Sequence, residues 1–126
     1  MILSPITDAF GHQAGDACLV ALADLLQHWS RKVDTCARFG GEEFIIILPN
    51  TPIDNAIELA ERLRQKVDAL HVQYEDQSIH YTISIGASSL KLMEEMTAVE
   101  LIKAADTALY EAKESGRNRV VSSPTT

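Results

Sequence analysis

The spacing of apolar residues along the chain predicts three helices. The first is capped by Asp16 and ends near Arg31, because apolar side chains recur three or four positions apart between them. Thr51 and Pro52 form a favourable start for the second. The third begins with a capping box at 97–100 and ends before Gly116. The second helix carries an apolar stripe made of Ala56, Leu59, Ala60, Leu63, Val67 and Leu70.

Extended segments lie between these helices. Residues 34–39 and 43–49 are predicted to be two strands joined by a glycine turn. Residues 71–89 offer two more strands around a polar turn, and alternating apolar residues mark the second. A short strand within 117–121 and a frayed tail over 122–126 end the chain.

The segment before the first helix, residues 1–15, is broken by Pro5, Gly11 and Gly15 and is predicted to be a loop or short helical turns. The order of elements predicts one α/β domain over residues 1–126, an α+β sandwich with a mainly antiparallel sheet. Such a hydrophobic sheet would usually gain a strand before the first helix. We expect none here, so the domain is expected to be incomplete at its N-terminus.

Composition narrows the classes of function. The chain has 126 residues, of which 46% are hydrophobic and 23% charged, as in one soluble globular domain. A net charge of −7 disfavours binding to a nucleic-acid polymer or an anionic membrane, and no apolar run is long enough to cross a bilayer. Cys18 and Cys36 form no CxxC motif and are expected to be reduced thiols of a cytoplasmic protein.

The candidate chemistry concentrates at the turn between the first two predicted strands, where Gly40 and Gly41 precede Glu42 and Glu43. Glycine adopts positive φ and lets the backbone approach a ligand. Adjacent carboxylates repel each other, but they would be justified at a site that binds Mg²⁺ together with a nucleotide. A surface turn with solvated acids explains the same four residues, and this motif alone leaves both interpretations open.

Several segments together resemble the GGDEF family of diguanylate cyclases. They are FGHQAGD at 10–16, RFGGEEF at 38–44, AERLR at 60–64, YTISIGAS at 81–88 and ADTALYEAKESGRNRV at 105–120. The resemblance covers nearly the whole chain, from about Ile6 to Val121. It implies a fold like the palm of nucleotidyl cyclases, in which helices flank a mainly antiparallel central sheet.

The resemblance also implies an activity, the condensation of two GTP into cyclic di-GMP with release of two pyrophosphates. A second GGDEF domain would complete the reaction as a homodimer, and Mg²⁺ or Mn²⁺ would be the cofactor. By position, Glu42 would bind the metal ions and help deprotonate the attacking hydroxyl, and Glu43 would be the second essential acid. Gly41 would let the backbone approach the nucleotide.

Three further residues would bind GTP if the resemblance holds. Asp16 would accept hydrogen bonds from the guanine edge, and Lys113 and Arg117 would hold the terminal phosphates. Each also has a purely structural explanation. Asp16 suits a helix cap, and the two basic residues suit the C-terminal end of a helix.

A second, inhibitory site for the product is common in the family, and its mark is RxxD five residues before the first motif glycine. Arg31 and Asp34 satisfy that spacing relative to Gly40. A guanidinium can pair with phosphate or guanine, and a carboxylate can accept from guanine N–H groups. Arg62 matches a further arginine of that site, although a solvated helix residue is an equally good explanation.

The chain departs from the family pattern before FGH. The family has a strand with Asp-x-Asp, which supplies the other metal-binding carboxylate, then a phosphate-contacting lysine and Ile-Asn-Asp. Here Ile6 and Asp8 match, but Thr7 stands in place of the guanine-reading asparagine, and the strand is expected to be absent. Loss of this strand should leave two hydrophobic strand edges, which we expect to close on each other or to be covered by dimer contacts.

Two classes of function therefore stay open. One is a shortened diguanylate cyclase domain of bacterial signalling, with weak or no turnover because half of its metal site is missing. The other is a degenerate GGDEF domain that binds cyclic di-GMP as a receptor or serves for dimerisation. The intact Glu42 and Glu43 favour the enzyme, whereas the absent strand and Thr7 favour the second class.

Overall fold

The computed structural model describes residues 1–5, 12–90 and 95–123, with only the backbone of His12 included. Within these ranges the chain forms β1 (Ile2–Pro5), α1 (His12–Trp29), β2 (Thr35–Arg38), β3 (Phe44–Ile47), α2 (Ile53–Asp68), β4 (His71–Tyr74), β5 (Gln77–His80), β6 (Ile83–Ala87), α3 (Ala98–Glu114) and β7 (Val120–Ser122). One five-stranded sheet has the order β2-β3-β1-β6-β7, and β4 pairs with β5 in a separate sheet. Only the β6–β7 pair is parallel. The predicted α+β fold with a mainly antiparallel sheet is confirmed.

The N-terminal segment forms the central strand of the sheet. Leu3 of β1 lies opposite Phe44 of β3 on one side and opposite Ile85 of β6 on the other. All four residues of β1 are buried. The prediction that this segment is a loop, and that the sheet lacks its first strand, is therefore wrong. The two strand edges that were expected to be unpaired are both paired with β1.

The amino group of Met1 continues this strand. It donates a hydrogen bond of 2.7 Å to the carbonyl oxygen of Ile46, and the Met1 carbonyl accepts one of 2.8 Å from the Ile46 N–H. Burial lowers the pKa of this amino group to about 6, because the charged form loses its hydration. The chain terminus is thus part of the sheet.

Helices cover both faces of this sheet. Leu3 faces α1 and α2, where it packs in the main core with Ile46, Leu22 and Leu63. Its neighbour Ile2 points to the opposite face, as alternation along a strand requires, and packs with residues of α3. The sheet is therefore the middle layer, with the larger core on the side of α1 and α2.

Gly86 of β6 allows α3 to lie directly on the sheet. A Cβ atom at this position would lie 2.2 Å from the carbonyl oxygen of Ala105 and 2.3 Å from the backbone nitrogen of Leu109. Only a glycine leaves room for the helix backbone at this distance. This contact fixes where the C-terminal half of α3 sits relative to β6.

Helix α3 begins and ends at the residues that the sequence predicted. The Thr97 side chain accepts a hydrogen bond of 3.1 Å from the Glu100 N–H at the start of the helix. At its end Gly116 has a φ of 127°, which an L side chain rarely adopts. The predicted capping residue and the predicted stop are both confirmed.

Three predicted boundaries are wrong. Helix α1 begins at His12, so Asp16 is inside the helix and does not cap it. The strand predicted before residue 89 is split at 81–82 into β5 and β6, which belong to different sheets. Ser122 belongs to β7, and the Ser123 N–H donates to the Ala87 carbonyl at 2.7 Å, so the tail begins later than predicted. Residues 124–126 lie outside the described ranges.

Candidate functional site

The turn between β2 and β3 is held by its own backbone. Gly40 and Gly41 have φ values of 82° and 46°, which explains why glycines are needed here. The Phe39 N–H donates to the Glu43 carbonyl at 2.7 Å, and the Arg38 Nε donates to the Gly41 carbonyl at 2.9 Å. No described atom lies within 4 Å of a Cβ placed on either glycine, so the space over the turn is open to a ligand.

The two acids of the turn lie at a defined edge of the sheet. Glu42 and Glu43 are half-buried and lead directly into β3. Since Leu3 is opposite Phe44 and β1 runs antiparallel to β3, the turn lies at the C-terminal end of β1. That edge is also the N-terminal end of β6. We refer to it below as the turn edge.

Helix α3 brings Lys113 toward the turn edge. The Ser88 hydroxyl donates to the Leu101 carbonyl at 2.8 Å, and Gly86 lies against Leu109. Lower residue numbers in β6 thus face higher numbers in α3, so the helix runs antiparallel to the strand. Its last turn, which carries Lys113, is therefore at the N-terminal end of β6.

The residues that end α3 orient two basic side chains. The Gly116 N–H donates to the Lys113 carbonyl at 3.5 Å and the Arg117 N–H to the Ala112 carbonyl at 2.9 Å, which is the Schellman pairing. Arg117 has a positive φ of 63°. In the described part of the chain neither the Lys113 nor the Arg117 side chain has a hydrogen bond or ion pair. Both cations are available to an anionic ligand.

Asp16 lies in the first turns of α1, at the end of the helix away from Arg31. At the other end of this helix, the Ser30 hydroxyl lies 2.7 Å from the sulfur of Cys36, near the start of β2 and far from the turn. The helix has 18 residues and is roughly 27 Å long, so its first turns are far from the start of β2. Asp16 is exposed there.

The described acids do not complete a metal site. Glu42 and Glu43 offer the oxygen ligands that Mg²⁺ prefers. However, β1 contains only Ile, Leu, Ser and Pro, and no group of three or more His, Cys, Asp or Glu among the described residues could hold a metal ion. Thr7 and Asp8 lie outside the described residues. The acids within the described ranges therefore do not by themselves fit a resident two-metal centre.

A pocket lies at the opposite edge of the sheet, beyond the C-terminal end of α1. Its volume is about 230 Å³. Its lining consists of Arg31, Asn50, Thr51, Asn55, Glu58, Leu59 and Arg62. The structure therefore brings together two of the three residues predicted for a product site, Arg31 and Arg62. The third, Asp34, does not line the pocket.

Asp34 instead holds Arg31 in place. Its Oδ1 atom accepts from the Arg31 Nη2 at 2.8 Å and from Nε at 3.1 Å, and its Oδ2 accepts from the Arg31 backbone N–H at 2.9 Å. The Asp34 side chain is only 2% exposed, whereas that of Arg31 is 47% exposed. These hydrogen bonds lower the pKa of Asp34. The Arg31 Nη2 also donates to the Thr51 hydroxyl at 3.0 Å.

One face of α2 supplies the other wall of the pocket. Asn55, Glu58, Leu59 and Arg62 follow the spacing i, i+3, i+4, i+7, which puts them on a single helix face. Leu59 was predicted to be core but lines the pocket, and Leu70 lies beyond the helix. The pocket roles of Asn55 and Glu58 were missed. Their spacing relative to Arg62 could have indicated them.

The turn edge and the pocket are joined by one structural unit. The β2–β3 hairpin carries the acid turn at one end, and the chain entering β2 at the other end carries Arg31 and Asp34. Each strand has four residues, so the two sites are separated by roughly 13 Å of strand.

A mainly antiparallel sheet flanked by helices, with two acids on a glycine turn at its edge, is the arrangement of the GGDEF class. The family model described as diguanylate cyclase, GGDEF domain, matches residues 3–119, and the chain belongs to this family. It is 45% identical over 115 residues to Diguanylate cyclase A of Treponema denticola. The matched segment covers 91% of this chain and 31% of that protein. The chain thus spans about a third of the length of this curated relative.

Solved structures agree with this assignment. The active GGEEF domain of a diguanylate cyclase from Vibrio cholerae matches with a TM-score of 0.83 and 36% identity over 99% of this chain and 83% of that one. The GGDEF domain of DgcB from Caulobacter crescentus in complex with c-di-GMP matches with a TM-score of 0.87 and 27% identity. This match covers 98% of this chain and 74% of that one. The predicted family and fold are confirmed. Among the helices described, none is long and apolar enough to span a membrane.

Proposed function

We propose that this chain is a diguanylate cyclase domain, that it binds cyclic di-GMP in the Arg31–Arg62 pocket, and that its own turnover is weak or absent. One observation carries the proposal. The acid turn and the basic end of α3 lie toward one edge of the sheet, and a pocket lined by two arginines lies toward the other. GTP is a cytoplasmic metabolite, so we also propose a cytoplasmic location.

At the turn edge each residue has a role that its chemistry supports. Asp16 accepts from the N–H groups of guanine, and Lys113 and Arg117 bind the terminal phosphates. Gly41 lets the backbone approach the nucleotide, since no described atom lies within 4 Å of the place where its Cβ would be. Glu43 is the second acid of the site.

The reaction needs two domains that face each other, each with one GTP. The 3′-hydroxyl oxygen of one GTP bonds to the α-phosphorus of the other. The bond from that phosphorus to the bridging oxygen of the β-phosphate breaks, and pyrophosphate leaves. Glu42 takes the hydroxyl proton. A second, identical step closes the cyclic dinucleotide, so the proposed partner is a second copy of this domain.

The incomplete ligand set explains why we expect weak turnover. Mg²⁺ or Mn²⁺ would neutralise charge on the phosphates, with Glu42 as a ligand. The strand beside the turn, β1, brings no second carboxylate to this edge. We therefore infer that the described residues include groups that bind a nucleotide but not the second carboxylate that would help to stabilise the transition state.

The test is to incubate the chain with GTP and Mg²⁺ or Mn²⁺ and to measure cyclic di-GMP by chromatography. The active GGEEF domain from Vibrio cholerae is the positive control. We expect product near the detection limit, while GTP binding is still weakened by Lys113→Ala. Turnover comparable to that of the control would overturn the proposal of weak activity.

The formed pocket favours a second candidate function, a receptor for cyclic di-GMP. In an active cyclase this pocket would serve product inhibition, whereas in an inactive chain the same binding would be the function itself. The two differ in one measurement. A receptor binds cyclic di-GMP with no production of it under any metal condition, and an inhibited cyclase produces it when Arg31→Ala disables the pocket.

A further inference from the structure

Arg64 of α2 connects this helix to the loop between α3 and β7. Its Nη1 atom donates a hydrogen bond of 2.8 Å to the Oδ1 atom of Asn118, which lies 54 positions further along the chain. Asn118 directly follows Arg117, the residue proposed above to bind the terminal phosphates of GTP. Since α2 and α3 pack on opposite faces of the sheet, this contact joins one helical layer to the end of the other.

The guanidinium of Arg64 is itself held in a fixed orientation. Its Nε donates to Oε1 of Glu61 at 3.0 Å, and its Nη2 donates to the same oxygen at 2.5 Å. A carboxylate oxygen of Asp68 lies 3.9 Å from Nη1, and the Arg64 side chain is only 16% exposed. Because a guanidinium is planar and rigid, the contacts of two of its nitrogens with Glu61 define the direction in which the third meets Asn118.

The loop after α3 has a backbone conformation that needs support. Gly116, Arg117 and Asn118 have φ values of 127°, 63° and 45° in succession. A positive φ is uncommon outside glycine, and two consecutive side-chain-bearing residues in this region cost free energy that other contacts must offset. Backbone hydrogen bonds hold the loop on either side, from the Arg117 N–H at 2.9 Å and to the Arg119 carbonyl at 3.0 Å. The contact with Arg64 supports the residue between them.

We propose that Arg64 is a positioning residue for GTP, which acts through Asn118 to hold Arg117 where it can bind the terminal phosphates. This inference rests on the proposed GTP site, to which it adds a residue that itself touches no substrate. Without the hydrogen bond from Arg64, the loop samples more conformations. The Arg117 side chain then loses more conformational freedom when phosphate binds, so the affinity for GTP falls.

The experiment is calorimetric titration with GTP in the presence of Mg²⁺. We expect Arg64→Met to weaken GTP binding roughly tenfold. Asn118→Gly should weaken it by a similar factor, although glycine suits the positive φ at this position, because the acceptor for Arg64 is lost. The matched control is Lys66→Met, which removes one positive charge from an exposed position of the same helix. It should change the affinity less than about twofold.

A double variant separates positioning from a general structural role. In the background Arg117→Met, the further change Arg64→Met should cause no additional loss, because the residue that it positions is already gone. A purely structural role would lower the affinity by the same factor with or without Arg117. Circular dichroism shows whether each variant is folded. If Arg64→Met does not fold, Asn118→Gly is compared in the same two backgrounds.

Two results would overturn the positioning role. One is equal GTP affinity of the wild type and Arg64→Met, and the other is an equal loss in the presence and absence of Arg117. If the wild-type chain itself does not bind GTP, the proposed GTP site fails and the positioning role fails with it. If the wild type binds GTP and Lys113→Ala weakens the binding while Arg64→Met does not, only the positioning role fails.

Discussion

Replacing Gly86 by alanine tests how α3 is seated on the sheet, and therefore how Lys113 reaches the turn edge. The new Cβ would lie 2.2 Å from the Ala105 oxygen, 2.3 Å from the Leu109 nitrogen and 2.8 Å from the Leu109 Cα. Atoms not bonded to each other normally approach to about 3.5–4.0 Å. All three contacts are with backbone, so no side chain can rotate away and the helix itself must move.

The size of the effect follows from these contacts. Overpacking a core usually costs about 1–3 kcal/mol, and displacement of a whole helix belongs at the upper end, so we expect a loss of about 3 kcal/mol or more. Domains of this kind are stable by only about 5–15 kcal/mol. Gly86→Ala should therefore unfold at a clearly lower urea concentration than the wild type, as measured by circular dichroism.

A matched control separates crowding from backbone strain. Gly40→Ala places a methyl group at a positive φ but in open space, so it should cost only about 1–2 kcal/mol. The loss of stability should thus be greater for Gly86→Ala than for Gly40→Ala. An unchanged urea midpoint for Gly86→Ala would refute the close packing of α3 on β6.

Two further predictions concern the ends of elements. Because burial lowers the pKa of the Met1 amino group from 8.0 to about 6, the unfolded chain binds an additional proton between these values. The free energy of unfolding should therefore rise by about 2 kcal/mol as the pH increases from 6 to 8, provided no other group offsets it. Urea unfolding at several pH values measures this, and acetylation of the amino group should abolish the dependence. Thr97→Ala removes the cap of α3 and should cost about 1 kcal/mol, whereas Thr97→Ser should cost little; equal losses for both would contradict the capping role.

Much of the fold could be predicted because local patterns determine it. The hairpin turn needs positive φ at Gly40 and Gly41, and α3 begins at a capping threonine and ends at a glycine. Strand β1 could not be predicted in this way. It has only four residues, it is buried on both faces and so lacks alternation, and Pro5 suggests a loop. Its place is decided by pairing with β3 and β6, which are distant in the sequence.

For the candidate site, too, local motifs could be predicted from the sequence, whereas the contacts between distant elements could not. The motif placed Glu42 and Glu43 on a turn, but the sheet order was needed to show that α3 ends at the same edge. The RxxD spacing found Arg31 and Asp34 but could not show that Asp34 is enclosed by its partner. Similarly, Glu58 lines the pocket only because the fold brings one face of α2 beside Arg31. A spacing within one helix does not reveal which element faces it.

The most direct test of the proposed Arg31–Arg62 product site is calorimetric titration with cyclic di-GMP. The wild-type chain is compared with the variants Arg31→Ala and Lys32→Ala. Lys32 is an exposed cation adjacent to Arg31 that does not line the pocket, so its variant controls for the loss of one positive charge. We expect the wild type and Lys32→Ala to bind alike and Arg31→Ala to bind at least about tenfold more weakly, because it loses a charged hydrogen bond. Absence of binding by the wild type, or equal binding by Arg31→Ala, would contradict this expectation.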